Sequence, residues 1–130
     1  MKQEEVIDYA RTQYGVEVDC PFSGDEGYLV LRHPDNRKWF GLLGSVEGAR
    51  LGLAVREKID VLNLKCDPML ASVLHEQEGI MPAYHMNKEH WITVLLDCDA
   101  NPGLCVPDAQ LEELIDASWQ LTSSRRRKRG

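Results

Sequence analysis

The chain has 130 residues, 43% of them apolar, and a formal net charge of −6. That suits one domain with its own core, built without disulfides or metal, and excludes a disordered chain. No run approaches the roughly 18 apolar residues of a membrane span, and the stretch Met1-Lys2-Gln3-Glu4-Glu5 has no apolar signal core, so a soluble cytoplasmic protein is expected.

The charge is unevenly placed. Arg125-Arg126-Arg127-Lys128-Arg129 supplies five of the fifteen basic residues, and residues 1–124 keep ten bases against all 21 acids, which leaves −11. A body this acidic opposes broad adhesion to nucleic acid, so any DNA contact needs a local basic patch or the tail. Cys20, Cys66, Cys98 and Cys105 form no C-x-x-C pair, which argues against a zinc ribbon or a dithiol motif and for a reduced, structural set.

In chain order, residues 2–14 read as a helix, with Val6, Ile7, Ala10 and Tyr14 on one face. Glu4, Glu5 and Asp8 sit where the helix dipole favours acids, and Gly15 is the stop. Val16 to Gly27, with Pro21, Gly24 and Gly27, reads as a connecting loop. Tyr28 to Arg32 is a strand, His33-Pro34-Asp35-Asn36-Arg37 a turn, and Lys38 to Leu43 the returning strand. Trp39 and Phe40 should face opposite ways, one of them into the core. Gly44 to Lys58, with Gly44, Gly48 and Gly52, reads as the strand end and an irregular connection.

Ile59 to Cys66 is a third strand. It puts Val61, Asn63 and Lys65 on one face and Leu62, Leu64 and Cys66 on the other. Asp67-Pro68 opens a second helix, Asp as N-cap and Pro in the first helical position. Its apolar face is Met69, Leu70, Val73 and Leu74, and Gly79 is its stop. Ile80 and Met81 on one side, and Ile92, Val94, Leu95 and Leu96 on the other, flank a hairpin. Its turn is Met86-Asn87-Lys88-Glu89, with Asn87 suited to a positive φ. A polar loop runs from Asp97 to Gly103. Pro107-Asp108 then opens a last helix with Leu111, Leu114, Ile115, Ser118 and Trp119 on one side. The basic tail after Thr122 should be disordered, which gives one domain over 1–122 and a tail over 123–130. The order of elements predicts an α+β fold, a two-layer sandwich with a mostly antiparallel sheet of about five strands and the helices on one face.

Three stretches resemble the MmcQ/YjbR family of small bacterial proteins: the strand and cap from Val61 to Pro68, the run Pro82-Ala83-Tyr84-His85-Met86-Asn87-Lys88-Glu89-His90-Trp91, and Ser118-Trp119. The resemblance covers nearly the whole chain to about Thr122. It implies a frataxin-like (CyaY-like) fold and DNA binding through two hairpin wings. Trp119 stands where members usually have Tyr, and the basic tail lies outside the family pattern.

The candidate contacts follow from the residues at the two hairpin tips. Arg32, Arg37 and Lys38 at the first, and His85, Asn87, Lys88 and His90 at the second with Lys65 nearby, can meet phosphates as point charges and hydrogen-bond donors. The expected partner is double-stranded DNA. The alternative is a small anionic ligand or a protein partner at the Tyr84–Trp91 hairpin. Structural roles compete throughout: a solvated turn at the first tip, and packing with backbone satisfaction at the second. His85 and His90 with Cys66 lack a third metal ligand at motif spacing. Frataxin's acidic first helix is associated with iron, but Glu4, Glu5 and Asp8 need only the helix dipole, and Asp19, Asp25 and Glu26 are loop acids. Cys66 on its strand is core rather than a nucleophile for His85. No Gly-rich phosphate loop or G-x-S-x-G is present, so no enzyme activity, metal or cofactor is expected, and a monomer is.

Overall fold

The computed structural model describes residues 1–19, 28–51, 57–83, 87–96 and 106–123, with Glu17 and Asp19 described as backbone only. The loop from Asp97 to Gly103 and the expected tail apart from Ser123, which is buried, lie outside them. The elements are α1 (Gln3–Tyr14), β1 (Glu17–Asp19), β2 (Leu29–Arg32), β3 (Trp39–Glu47), β4 (Lys58–Lys65), α2 (Pro68–Leu74), β5 (Ile80–Pro82), β6 (Trp91–Leu95) and α3 (Asp108–Thr122). The strands form one antiparallel sheet in the order β1-β2-β3-β4-β6-β5. The expected α+β fold is present, with six strands instead of about five. The extra strand is β1, inside the segment read as a connecting loop. Three residues carry too little periodicity to be read locally, and pairing with β2 makes them a strand.

All three helices pack on one face. Val6 and Ala10 of α1, Ala71 and Leu74 of α2, and Leu111, Leu114 and Ile115 of α3 meet Leu31, Phe40, Leu43, Leu62, Leu64, Ile92 and Val94 in one core. α1 ends as its sequence requires: Gly15 takes φ 65 and donates to the Arg11 carbonyl. The other face of the sheet holds a second, smaller cluster of Val46, Ile59, Val61 and Leu95. Beside it, Thr93 Oγ1 donates to Asn63 Oδ1 at 2.6 Å, both residues buried. The pairing satisfies two polar side chains that would otherwise cost folding free energy.

The β2–β3 ladder shifts register between Leu31 and Arg32, so that Leu31 pairs with Gly41 and Arg32 with Trp39. Phe40 is therefore the extra residue of a β-bulge, and both Phe40 and Gly41 face the helices. Phe40 enters the core completely, while a Cβ on Gly41 would come within 2.8 Å of Leu31 Cδ1. Trp39 stays half-buried on the other face. The strand then continues past Gly44 to Glu47, where an irregular connection was expected. Gly44 is not a breaker: a Cβ there would lie 2.1 Å from the Tyr28 ring, so the aromatic covers the glycine within the sheet.

α2 departs most from its sequence pattern. The cap is as expected, with Asp67 accepting from the backbone of Met69 and Leu70. Yet the helix stops at Leu74, and only Ala71 and Leu74 are buried; Met69 is 79% exposed, Leu70 41% and Val73 66%. Ala71 and Leu74, three apart, share the stripe that faces the sheet, which turns Met69 and Val73 away. Glu76 and Gln77 then donate to the carbonyls of Val73 and Leu74, a tightened last turn that ends the helix before Gly79. Among the described residues no helix is long and apolar enough to cross a membrane.

Candidate functional site

The end of β2, the start of β3, the end of β4 and the start of β6 lie at one end of the sheet, because these four strands are antiparallel neighbours. Both hairpin turns therefore sit there together. Arg32, Arg37, Lys38, Lys65, Asn87, Lys88 and His90 are all at this end; His85, with Tyr84 and Met86, lies outside the described residues.

The first turn is braced from within. His33 N–H donates to the Lys38 carbonyl and Arg37 N–H to the His33 carbonyl. Asn36 Oδ1 accepts from Lys38 N–H at 2.8 Å, and Arg32 Nη1 reaches the Arg37 carbonyl at 3.3 Å. Arg32 also lies 5.7 Å from the Trp39 ring centroid, a cation–π distance. Arg37 takes φ 65, a left-handed conformation that costs a residue with a Cβ about 1–2 kcal/mol. Arg37→Gly should raise stability by on the order of 0.5–1 kcal/mol in denaturant unfolding, the relief less glycine's own entropy cost. Unchanged or lower stability would mean that the Arg37 side chain holds the turn.

The second turn differs in detail from its expectation. It spans Asn87–His90, and the positive φ expected at Asn87 is absent. Asn87 instead acts as an Asx-turn residue: its Oδ1 accepts from Glu89 and His90 N–H at 2.8 and 3.2 Å, and its carbonyl from His90 and Trp91. Lys88 Nζ donates to the Ala83 carbonyl at 2.8 Å, tying the turn across the hairpin. His90 is exposed, and its carbonyl accepts from Cys66 N–H. Lys65 pairs with Trp91 across β4 and β6, its Nζ 5.8 Å from the indole centroid.

A cluster that the sequence did not announce lies beneath the first turn. Trp119 stacks between two rings, His33 at 3.8 Å and Tyr14 at 4.2 Å between centroids, and Phe40 meets all three edge-on. His33 Nε2 lies 2.7 Å from Thr122 Oγ1, and Asn36 Nδ2 donates to the Thr122 carbonyl, so the end of α3 is latched onto the turn. Tyr9 and Tyr14 both donate to Asp116 Oδ1. Burial, and then Asp116, push the Tyr9 hydroxyl up to about 12 and Tyr14 up as well, so both remain donors. A proline-containing turn gave no local sign that its histidine would be buried.

Burial holds the His33 imidazole below its ordinary 6.5, against the pull of Asp35 upward. The unfolded chain then binds the proton first, so stability should be full above about pH 6.5 and fall as the pH drops through 6.5 toward the folded value. His33 ring signals titrating by NMR below 6.5 would check this; a midpoint above 6.5 would refute it.

Other sequence candidates separate in space. Cys66 is buried among the helix-side residues, and burial, then Asp67, raise its thiol, which keeps it protonated. Its side chain therefore shares no face with Lys65, and its link to His90 is between backbone groups. Glu4, Glu5 and Asp8 are exposed on α1, and Glu5 accepts from Lys2 N–H at 2.7 Å. Among the described residues no three His, Cys, Asp or Glu side chains are grouped to hold a metal ion.

Comparison with known proteins places these features in a family. The family model described as YjbR matches residues 11–121. The uncharacterized protein YyaQ of Bacillus subtilis is 37% identical over 122 residues, covering 94% of this chain and 98% of its own. The uncharacterized protein YjbR of Escherichia coli K12 is 40% identical over 65 residues, about half of each chain (49% and 50%). Among solved structures, a Pseudomonas syringae crystal structure superposes with a TM-score of 0.86 at 41% identity, covering 95% of this chain and 100% of that one. A Deinococcus radiodurans protein superposes with a TM-score of 0.62 at 28% identity, covering 92% and 79%. With the matched region running from α1 to the last turn of α3 and taking in both hairpins, the chain belongs to the YjbR family.

Proposed function

We propose that the chain binds DNA through the end of the sheet that carries both hairpin turns, its cations set against phosphates, and that it does so in the cytoplasm without catalysing a reaction. One observation carries the reading. In a body of strongly negative charge, Arg32, Arg37, Lys38, Lys65 and Lys88 gather at one end of four neighbouring strands, against Asp35, Asp67 and Glu89. Asp67 is engaged in capping α2, which leaves a local positive excess for a phosphate backbone.

The test is a DNA titration at several salt concentrations with the full chain, residues 1–123, and Arg37→Ala/Lys38→Ala. Each lost phosphate contact should lower the slope of log K against log salt by about 0.9 on a duplex or about 0.7 on a single strand, so the double variant should lose roughly 1.4–1.8. If residues 1–123 fail to bind and the double variant binds as the parent does, the affinity belongs to the basic tail alone. A second reading, a protein partner seated on α2, is favoured by the exposed Met69, Leu70 and Val73. It predicts no salt-dependent DNA affinity in residues 1–123.

A further inference from the structure

We infer that the DNA taken by this site is single-stranded, with a base stacked on Trp91 and its phosphate on Lys65. The inference rests on the DNA-binding reading and names the form of DNA. Across β2, β3, β4 and β6, on the face away from the helices, the strand ends present Arg32, Trp39, Lys65 and Trp91 in that order. Cation and indole alternate along the sheet. Arg32–Trp39 and Lys65–Trp91 are cross-strand partners, and each cation lies within 6 Å of its ring centroid. All four side chains are half-buried, held in place but still reaching solvent.

Phosphate contact alone would need only the cations. Two indoles alternating with them add flat apolar surfaces, and only an unpaired base has a free π-face to lay against one. In a duplex the bases stack on one another every 3.4 Å and turn only their edges outward. Trp39 and Trp91 stand two strands apart, roughly 10 Å at the usual strand spacing. A strand spanning both must spread its bases well beyond duplex stacking. Lys65, between the two indoles along the sheet, is where the intervening phosphate would run.

The experiment titrates the full chain, at one low salt concentration, with a short oligothymidylate and with the matching dA·dT duplex. Binding is read by tryptophan fluorescence and by the Trp91 indole N–H signal. The single strand should bind roughly tenfold tighter than the duplex or better. Trp91→Leu, which keeps an apolar side chain but no ring, should weaken the single strand by roughly 5- to 150-fold and leave the duplex nearly unchanged. Trp91→Phe should retain most of the single-strand affinity, which separates stacking from loss of fold. Lys65→Ala should weaken both forms. Equal or tighter duplex binding, or Trp91→Leu binding the single strand as the parent does, overturns the inference while leaving DNA binding intact. If neither form binds the full chain, the DNA-binding reading itself falls.

Discussion

Trp119→Ala is expected to cost about 3–5 kcal/mol, the range for removing a packed aromatic. The indole is the middle of the Tyr14–Trp119–His33 stack and meets the edge of Phe40. It joins the end of α1, the first turn, the bulge of β3 and the last turn of α3. Each aromatic pair adds about 0.5–1.5 kcal/mol beyond burial, so truncation removes several at once. Trp119→Tyr keeps a ring that can stack and should cost less than about 1.5 kcal/mol. Denaturant unfolding of both variants checks the pair of values. Equal costs for Ala and Tyr would show that stacking is not what holds this corner.

Ser118→Ala should cost about 2–4 kcal/mol for the loss of a single oxygen. The Ser118 hydroxyl accepts from Lys65 N–H at 2.9 Å and donates to the Phe40 carbonyl at 2.6 Å, with the residue fully buried. It sits between β3 and β4 just past their last register pair, Gly41–Leu64, and bridges two backbone groups, the Phe40 carbonyl and the Lys65 N–H, beyond that pair. Alanine would leave both without a partner, at about 1–3 kcal/mol for each buried group. Hydrogen exchange gives the specific readout: the Lys65 amide should lose protection beyond the global change. A cost under about 0.5 kcal/mol with Lys65 still protected would mean that the two strands close on each other directly. The Ser118-Trp119 pair thus accounts physically for its place in the family resemblance: the serine bridges the sheet and the tryptophan fills the corner.

The candidate site was partly legible. The cations of both tips were named from turn residues and charge, and the structure brings Arg32, Arg37, Lys38, Lys65, Asn87, Lys88 and His90 to one end. Their individual roles were not legible. Asn87 builds its turn through its side chain, Lys88 spends one donor on Ala83, and Arg37 rather than Asn87 takes the left-handed conformation. Trp39 was read only as one of two neighbours of which one enters the core, and Trp91 as packing in the structural alternative; nothing local pairs either with a cation, because the partners, Arg32 and Lys65, lie on neighbouring strands.

What the sequence by itself determined is what short-range physics decides. The period of Val6, Ala10 and Tyr14 makes a helix and Gly15 ends it; Asp67-Pro68 starts another; alternation along Val61 to Cys66 separates two faces of a strand. Each rests on interactions within a few residues. Only the tertiary structure decided the length of β3 past Gly44, the existence of β1, the exposure of Met69 and Val73, and the burial of His33. Gly44 continues a strand because Tyr28 lies over it, and His33 is buried because Thr122, 89 positions away, meets its ring nitrogen. Such contacts form between segments whose own patterns carry no mark of the partner, so the chain must fold before they exist.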